Sequence, residues 1–164
     1  MHLTPEEQSR FDALLEPIVE NDAVQSMKTF VQHGSVSTFD HCLTVAQTAF
    51  VLNSRLHLGG DECIVVHGGM LHDLFLYDWH DSHWTHSYKH AEYARRNAVT
   101  HLNADVRVQA VIRTHMWPIG ITHVPVSREA WIVCMADKMV SAHETVLQRA
   151  GGSPFAKRAE SRAH

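Results

Sequence analysis

The stretch ECIVVHGGMLHD, residues 62–73, is mostly apolar and ends on two polar residues, His72 and Asp73. Gly59-Gly60-Asp61 interrupts the chain just before it, so the spacing predicts a helix over about residues 61–73. Gly68-Gly69 lies inside this helix, where it favours close packing against another helix over phosphate binding. The pair His72-Asp73 is therefore expected at the C-terminal end of a helix. The apolar side chains of this helix are Ile64, Val65, Val66, Met70 and Leu71.

Helical periodicity extends from this segment in both directions along the chain. Thr4 followed by Pro5 is typical of a helix start, and Ser127 can cap the last helix. Two segments, 74–85 and 117–125, have no clean period and are predicted to be irregular. No segment has a convincing strand alternation. The other predicted helices cover about residues 4–19, 21–33, 37–56, 88–102, 105–115 and 127–150.

These elements predict an all-α chain that folds as a single-domain bundle of about 6–8 helices. The length of 164 residues fits one domain, because domains are typically roughly 100–200 residues long. The helical domain is expected over residues 1–150, and a polar C-terminal tail over residues 151–164.

The charge balance limits the partners that we expect. The chain has 14 Lys and Arg against 18 Asp and Glu, which gives a formal net charge of −4. A mildly acidic chain lacks the basic surface that binds a nucleic-acid polymer or an anionic membrane. No apolar run reaches the roughly 18 residues of a membrane-spanning helix, and the N-terminus lacks a signal-peptide pattern. Three widely spaced cysteines, read as buried and reduced, favour a cytoplasmic protein: Cys42, Cys63 and Cys134.

Histidine is unusually frequent, with 15 residues in the chain. His41 shares the apolar face of its predicted helix, and Asp137 lies in the apolar last helix. Each alone has an ordinary explanation, a hydrogen-bonded core histidine or a buried salt bridge. Together with His72 and Asp73 they form a set of imidazoles and carboxylates that Fe, Mn, Co, Ni or Zn accepts as ligands. The joint pattern predicts a divalent transition-metal site.

This pattern resembles the HD superfamily of metal-dependent phosphohydrolases, whose signature is H…HD…D on a helical bundle. The matching residues are His41, His72, Asp73 and Asp137, and the resemblance covers about residues 30–145. Short stretches around these residues are also similar to the family: His33-Gly34, Gly68-Gly69-Met70-Leu71, His115-Met116-Trp117-Pro118 and Asp137-Lys138 with Glu144. The chain is most similar to small bacterial HD-domain proteins. It departs from many members after the HD pair, where Leu74-Phe75 replaces Ile-Gly.

The resemblance implies an HD-type helical domain that holds one or two divalent ions. The four signature residues are expected to bind the first ion, with Asp73 bridging to a second if one is present. His86 and His115 are the expected ligands of that second ion, with His90 and His83 as alternatives for His86. In a one-metal site, His86 and His115 would instead hydrogen-bond the substrate phosphate.

The implied activity is hydrolysis of a phosphate ester by metal-activated water, on a nucleotide or another small phosphorylated metabolite. Asp73, His86, His115 and Lys138 are the expected catalytic residues, and Arg113 and Lys89 are weaker candidates for pairing with phosphate. Three tryptophans of the irregular segments either stack on a base or sugar or close the core over the site: Trp79, Trp84 and Trp117. Two alternatives stay open: an HD-fold di-iron oxygenase, and a non-catalytic module that binds a nucleotide or a metal. A homodimer is compatible with the sequence.

Overall fold

The computed structural model describes the backbone of residues 3–33, 36–76 and 86–151, and the side chains of residues 3–31, 36–76 and 89–146. This part of the chain folds as α-helices with one short two-stranded ladder, and the predicted all-α class is confirmed. The elements in chain order are α1 Pro5–Val19, α2 Asp22–Ser26, a 3₁₀ turn Met27–Thr29, β1 Val31–His33, β2 Val36–Ser37, α3 Thr38–Arg55, α4 Glu62–Leu71, α5 His86–Leu102, α6 Val106–Thr114 and α7 Arg128–Gly151.

Side-chain caps fix where the helices begin. Thr4 accepts a hydrogen bond from the Glu7 amide, while the Glu7 carboxylate accepts one from the Thr4 amide, so the start of α1 is a capping box. Ser127 Oγ accepts from the Ala130 amide at 3.1 Å at the start of α7. Both predicted helix starts are confirmed. Asn21, Ser37, Asp61 and Asp105 cap α2, α3, α4 and α6 in the same way.

Helix α4 runs through the centre of the fold and packs against α1, α3, α6 and α7. A Cβ atom on Gly69 would lie 2.7 Å from the Cα atom of Ala46 on α3, and one on Gly68 would lie 2.6 Å from Cγ1 of Val111 on α6. Only glycine lets the three helix backbones approach this closely. The two glycines therefore serve helix packing, as predicted, and they set the spacing of the elements that carry the polar residues of the core.

The predicted second helix, over residues 21–33, is wrong beyond its first turns. Helix α2 ends at Ser26, and Phe30 is extended, with φ −102° and ψ 133°. The Phe30 carbonyl accepts a hydrogen bond from the Thr38 amide at 2.8 Å, and Val31 pairs with Ser37 in an antiparallel ladder. These backbone bonds of the short ladder outweigh a helical period that Val24, Met27, Phe30 and Val31 match by spacing alone. The expectation that no strand occurs is corrected accordingly.

Other predictions fall partly outside the described residues. The predicted irregular segment 74–85 is described only to residue 76, and the predicted tail lies outside from residue 152 onward. Cys42 and Cys134 are buried as predicted, whereas Cys63 is only partly buried. None of the helices in the described ranges is both long enough and apolar enough to span a bilayer.

Candidate metal centre

Six polar side chains from five segments of the fold converge in the core. His41 lies near the start of α3, and His72 and Asp73 directly follow α4. The other three come from α5, the end of α6 and the middle of α7: His90, His115 and Asp137. Each of the six residues is between 0% and 6% exposed. Burying so many ionisable groups is unfavourable unless they compensate one another or bind an ion. We call these six residues the core cluster.

The two carboxylates of the core cluster connect its histidines. Asp137 Oδ1 lies 3.4 Å from Nε2 of His41 and 3.8 Å from Nε2 of His72. Asp73 Oδ2 lies 3.5 Å from Nε2 of His72. The other oxygen, Asp73 Oδ1, lies 3.5 Å from Nε2 of both His90 and His115. The Asp73 carboxylate therefore faces His72 with one oxygen and both His90 and His115 with the other. We call His41 and His72 the first histidine set and His90 and His115 the second.

Hydrogen bonds at the outer ring nitrogens orient three of the histidines. The Nδ1 atoms of His72 and His115 donate to the carbonyls of Gly69 at 2.8 Å and Ile112 at 2.7 Å. His41 Nδ1 donates to Glu144 Oε2 at 3.0 Å. Because carbonyls and ionised carboxylates only accept, these bonds place the proton on Nδ1 and turn Nε2 inward in each ring. This is the tautomer in which a histidine offers Nε2 as a metal ligand.

The electrostatics of the core cluster favour a bound cation. Burial raises the pKa of Asp73, but His72, His90, His115 and His41 outweigh it and hold that pKa below its usual range. The pKa of Asp137 is also held well below its ordinary value, with burial opposed by the hydrogen bond from His41. Both carboxylates are therefore ionised at neutral pH, and a positive charge among them is favourable.

The pKa values of two histidines in the core cluster are shifted in opposite directions. Burial lowers the pKa of His41, but hydrogen bonds to Asp137 and Glu144 outweigh it and raise the pKa to about 10. Burial and the neighbouring His72 lower the pKa of His115 to about 3. His115 is thus neutral, with a lone pair on Nε2, which lies 3.0 Å from Nε2 of His90. A cation beside His41 would compete with the proton on Nε2 of that ring.

The residues present fit a divalent metal ion. Three overlapping groups each have ligand atoms within 4.8 Å of one another: His41-His72-Asp73, His72-His115-Asp137 and Asp73-His90-His115. Among the described residues, Nε2 of His72 is buried with no hydrogen-bond partner, although it lies in the middle of these groups. Imidazole nitrogens and carboxylates together are the donors that first-row transition metals accept.

The comparisons with known proteins identify the family. The family model described as HD domain matches residues 38–142, which contain all six residues of the core cluster. The chain belongs to the HD domain family. Comparison with curated proteins and with solved structures gave no match. Membership of the HD family implies hydrolase-type activity that depends on a metal ion.

In this HD domain, the four signature residues and His115 lie together in the core cluster. The side chain of His86, the other predicted ligand of a second ion, lies outside the described residues. His90, one turn later on the same helix, lies beside Asp73 and His115. The sequence named His90 only as an alternative, because His86 and His90 are four residues apart and share a helix face. The metal-binding roles of these residues stay predictions.

Lys138 and Glu144 extend the core cluster along α7. The Lys138 ammonium donates to Asp137 Oδ2 at 2.7 Å and to the His115 carbonyl at 2.9 Å, and its side chain is 33% exposed. Ser141 Oγ donates to Asp137 Oδ1 at 3.1 Å. Glu144 had no predicted role. Its position seven residues after Asp137, two turns along one helix face, was a usable signal.

The other residues predicted to contact a substrate are not part of the core cluster. Trp117 packs edge-on against Trp131 with ring centroids 5.0 Å apart. Lys89 and Arg113 are exposed. Trp79, Trp84 and His83 lie outside the described residues. Trp117 therefore packs against α7, and its stacking on a substrate stays a prediction.

Proposed function

We propose that this HD domain hydrolyses a phosphate ester of a small metabolite, such as a nucleotide, with two divalent transition-metal ions in the core cluster. The observation that carries the proposal is the placement of Asp73, whose two carboxylate oxygens face separate histidine sets at 3.5 Å. A carboxylate placed in this way is suited to bridge two ions.

The ligand assignment follows the two histidine sets. His41, His72, Asp73 and Asp137 would hold the first ion, and Asp73, His90 and His115 the second. The metal ions would supply a water molecule of lowered pKa and positive charge at the phosphoryl oxygens. Glu144 keeps the proton of His41 on Nδ1, so that Nε2 stays directed at Asp137.

Lys138 is well placed to hold a phosphate oxygen beside the core cluster. An ammonium group has three N–H donors, and two of them are used on Asp137 and the His115 carbonyl. The third donor and the partly exposed side chain leave Lys138 able to contact an anion that enters beside the core cluster. Its two existing bonds hold the ammonium in place and so reduce the entropy lost on binding.

A metal and substrate screen tests this proposal. The full chain is loaded with Mn, Co, Ni, Fe or Mg and incubated with phosphomonoesters, nucleotides and cyclic nucleotides, and the phosphate or nucleoside released is measured. We expect turnover with at least one metal and its loss in Asp73→Asn, which keeps the side-chain volume. No turnover with any metal would overturn the proposal. Oxygen uptake by the iron-loaded chain without ester hydrolysis would favour the di-iron oxygenase instead.

A further inference from the structure

A cleft of about 870 Å³ lies between α5, α6 and the segment that follows α6. This volume falls within the roughly 300–1,000 Å³ typical of small-molecule sites. No residue of the core cluster lines the cleft within the described part of the chain. Ala91 and Thr114 do line it, and they are the immediate neighbours of His90 and His115. The cleft therefore lies on the outer side of the two helix segments that carry those histidines.

The cleft is basic although the chain is acidic overall. Its lining includes three arginines, Arg95, Arg96 and Arg113, and one carboxylate, Glu92. Glu92 accepts two hydrogen bonds from Arg95, both at 2.8 Å, and one from Arg96 at 2.9 Å. One carboxylate thus opposes three guanidinium groups, which leaves two positive charges in excess. The chain as a whole has a formal charge of −4, so this concentration of cations is a local feature.

Arg113 is the cation most available to a ligand. It is exposed, and it makes no hydrogen bond or ion pair with any other described residue. By contrast, Arg95 is held by Glu92 and by Gln109 Oε1 at 3.0 Å. Arg96 uses its Nε on Glu92, and its side chain is 65% exposed. Arg96 and Arg113 project from two helices into one cleft and can together receive a dianionic group.

The lining also has an exposed apolar part, beside the polar side chains of Gln109, Thr114, Thr122 and His123. Val106, Val124 and Val126 are 73%, 47% and 89% exposed, and all three line the cleft. Exposed valines beside arginines favour a ligand with an anionic group and an apolar or planar body, because binding removes the valine surface from water. A phosphate monoester carries close to two negative charges at neutral pH and matches the paired guanidiniums better than a single carboxylate does.

We propose that this cleft binds a small phosphorylated organic molecule, with Arg96 and Arg113 on the phosphate and the three valines on the organic part. This site is separate from the core cluster, and its occupation needs neither a metal ion nor hydrolysis. The proposal therefore stands independently of the phosphohydrolase activity. Because the lining includes neighbours of His90 and His115, a bound ligand would also stabilise the helix segments that carry these two histidines.

The test uses phenylphosphonate, which cannot be hydrolysed as an ester, as the probe. It is titrated into the full ¹⁵N-labelled chain, as purified and again with excess EDTA. We expect amide shifts in residues 91–96, 109–114 and 122–126, unchanged by EDTA. Inorganic phosphate and benzoate, which each lack one half of the recognised chemistry, should bind more weakly. Shifts confined to the neighbours of His72 and Asp137, or abolished by EDTA, would place the probe at the metal ions and overturn the proposal.

Matched variants locate the contacts. Arg113→Ala should weaken phenylphosphonate binding roughly tenfold, the value of one charge-assisted hydrogen-bond pair. Arg128→Ala, an exposed arginine outside the cleft, should bind like the wild type. Val126→Ser should weaken the binding of phenylphosphonate but not that of inorganic phosphate. Wild-type affinity in Arg113→Ala, with the native amide spectrum retained, would refute the assignment.

Discussion

His41 and Glu144, separated by 103 positions in the chain, are joined by a 3.0 Å hydrogen bond inside the helical bundle. The carboxylate binds the outer nitrogen of the ring, and the inner nitrogen lies 3.4 Å from Asp137 Oδ1. Two of the other histidines in the core cluster use a backbone carbonyl for the same purpose. A carboxylate makes His41 a stronger electron donor than a carbonyl would, because the charge on the acceptor increases the basicity of the ring.

Removal of this carboxylate should weaken metal binding without unfolding the chain. We expect Glu144→Ala to lower metal affinity about 10–100-fold, the usual effect of losing the partner of a ligating histidine. Glu144→Gln should lose less, since its amide oxygen still accepts from Nδ1–H. Affinity is measured by competition with a chromophoric chelator, and helix content by circular dichroism. The exposed neighbour provides the control, as His143→Ala should bind metal like the wild type. Unchanged affinity in a folded Glu144→Ala would show that the bond is not needed for binding.

The contact between α3 and α4 at Gly69 should be intolerant of even one methyl group. A Cβ atom there would lie 2.7 Å from the Cα atom and 3.0 Å from the amide nitrogen of Ala46, both backbone atoms. We expect Gly69→Ala to lower the free energy of unfolding by about 1–3 kcal/mol. Alanine otherwise stabilises a helix relative to glycine by about 1 kcal/mol, so the sign of the change identifies the clash.

Urea unfolding measures this effect, and Gly120 offers a matched control. A Cβ atom on Gly120 would meet only Met116 Cβ, at 3.6 Å, which is an ordinary contact. Gly120→Ala should therefore change stability by no more than about 0.5 kcal/mol. A Gly69→Ala chain as stable as the wild type would mean that α3 and α4 can move apart at no cost.

The sequence predicted most helices from a cap followed by a helical period, although the same two signals at Asn21 did not extend α2 to residue 33. Thr4 and Ser127 are such cases, and so is the end of α4 at His72. Prediction failed for residues 27–33, because the Phe30 carbonyl accepts a hydrogen bond from Thr38 beside the ladder that pairs Val31 with Ser37. The period of the apolar residues carries no information about a backbone hydrogen bond between two paired strands.

The sequence predicted which residues form the candidate site better than it predicted the contacts between them. Buried polar residues inside apolar helices marked His41 and Asp137 because each needs a partner. The sequence left His86 and His90 open as alternatives, since positions four apart lie on one face of a helix. The spacing of Glu144 from Asp137 places both residues on one helix face, but the contact of Glu144 with His41 depends on how α3 packs against α7.

Metal stoichiometry should separate the two histidine sets. We expect the wild-type chain to bind two ions, His90→Gln to keep one of them, and Asp73→Asn to lose both, because Asp73 faces both sets. The metal-to-protein ratio after desalting is measured by elemental analysis. His101→Gln, an exposed histidine on α5, should retain both ions. A His90→Gln chain that still holds two ions would exclude His90 as a ligand.

The ion pair between Glu7 and Arg55 should give the stability a defined pH dependence. Arg55 donates to both carboxylate oxygens, at 2.9 and 2.7 Å, and so ties α1 to α3. This pair, together with the Thr4 amide, lowers the pKa of Glu7 from 4.5 to about 2. A lowered folded-state pKa means that the stabilisation is complete above pH 4.5 and is lost as the pH falls toward about 2.

Glu7→Gln isolates the charge of this pair, since the amide oxygen can still accept from the Thr4 amide in the capping box. Near neutral pH the variant should be less stable than the wild type, and the difference should shrink as the pH drops below 4.5. Urea midpoints measured at a series of pH values give this difference directly. Glu6→Gln, exposed in the same turn and without an ion pair to any described residue, controls for the loss of a carboxylate near the helix start. A difference between Glu7→Gln and the wild type that stays constant with pH would mean that Arg55 does not hold the carboxylate in its ionised form.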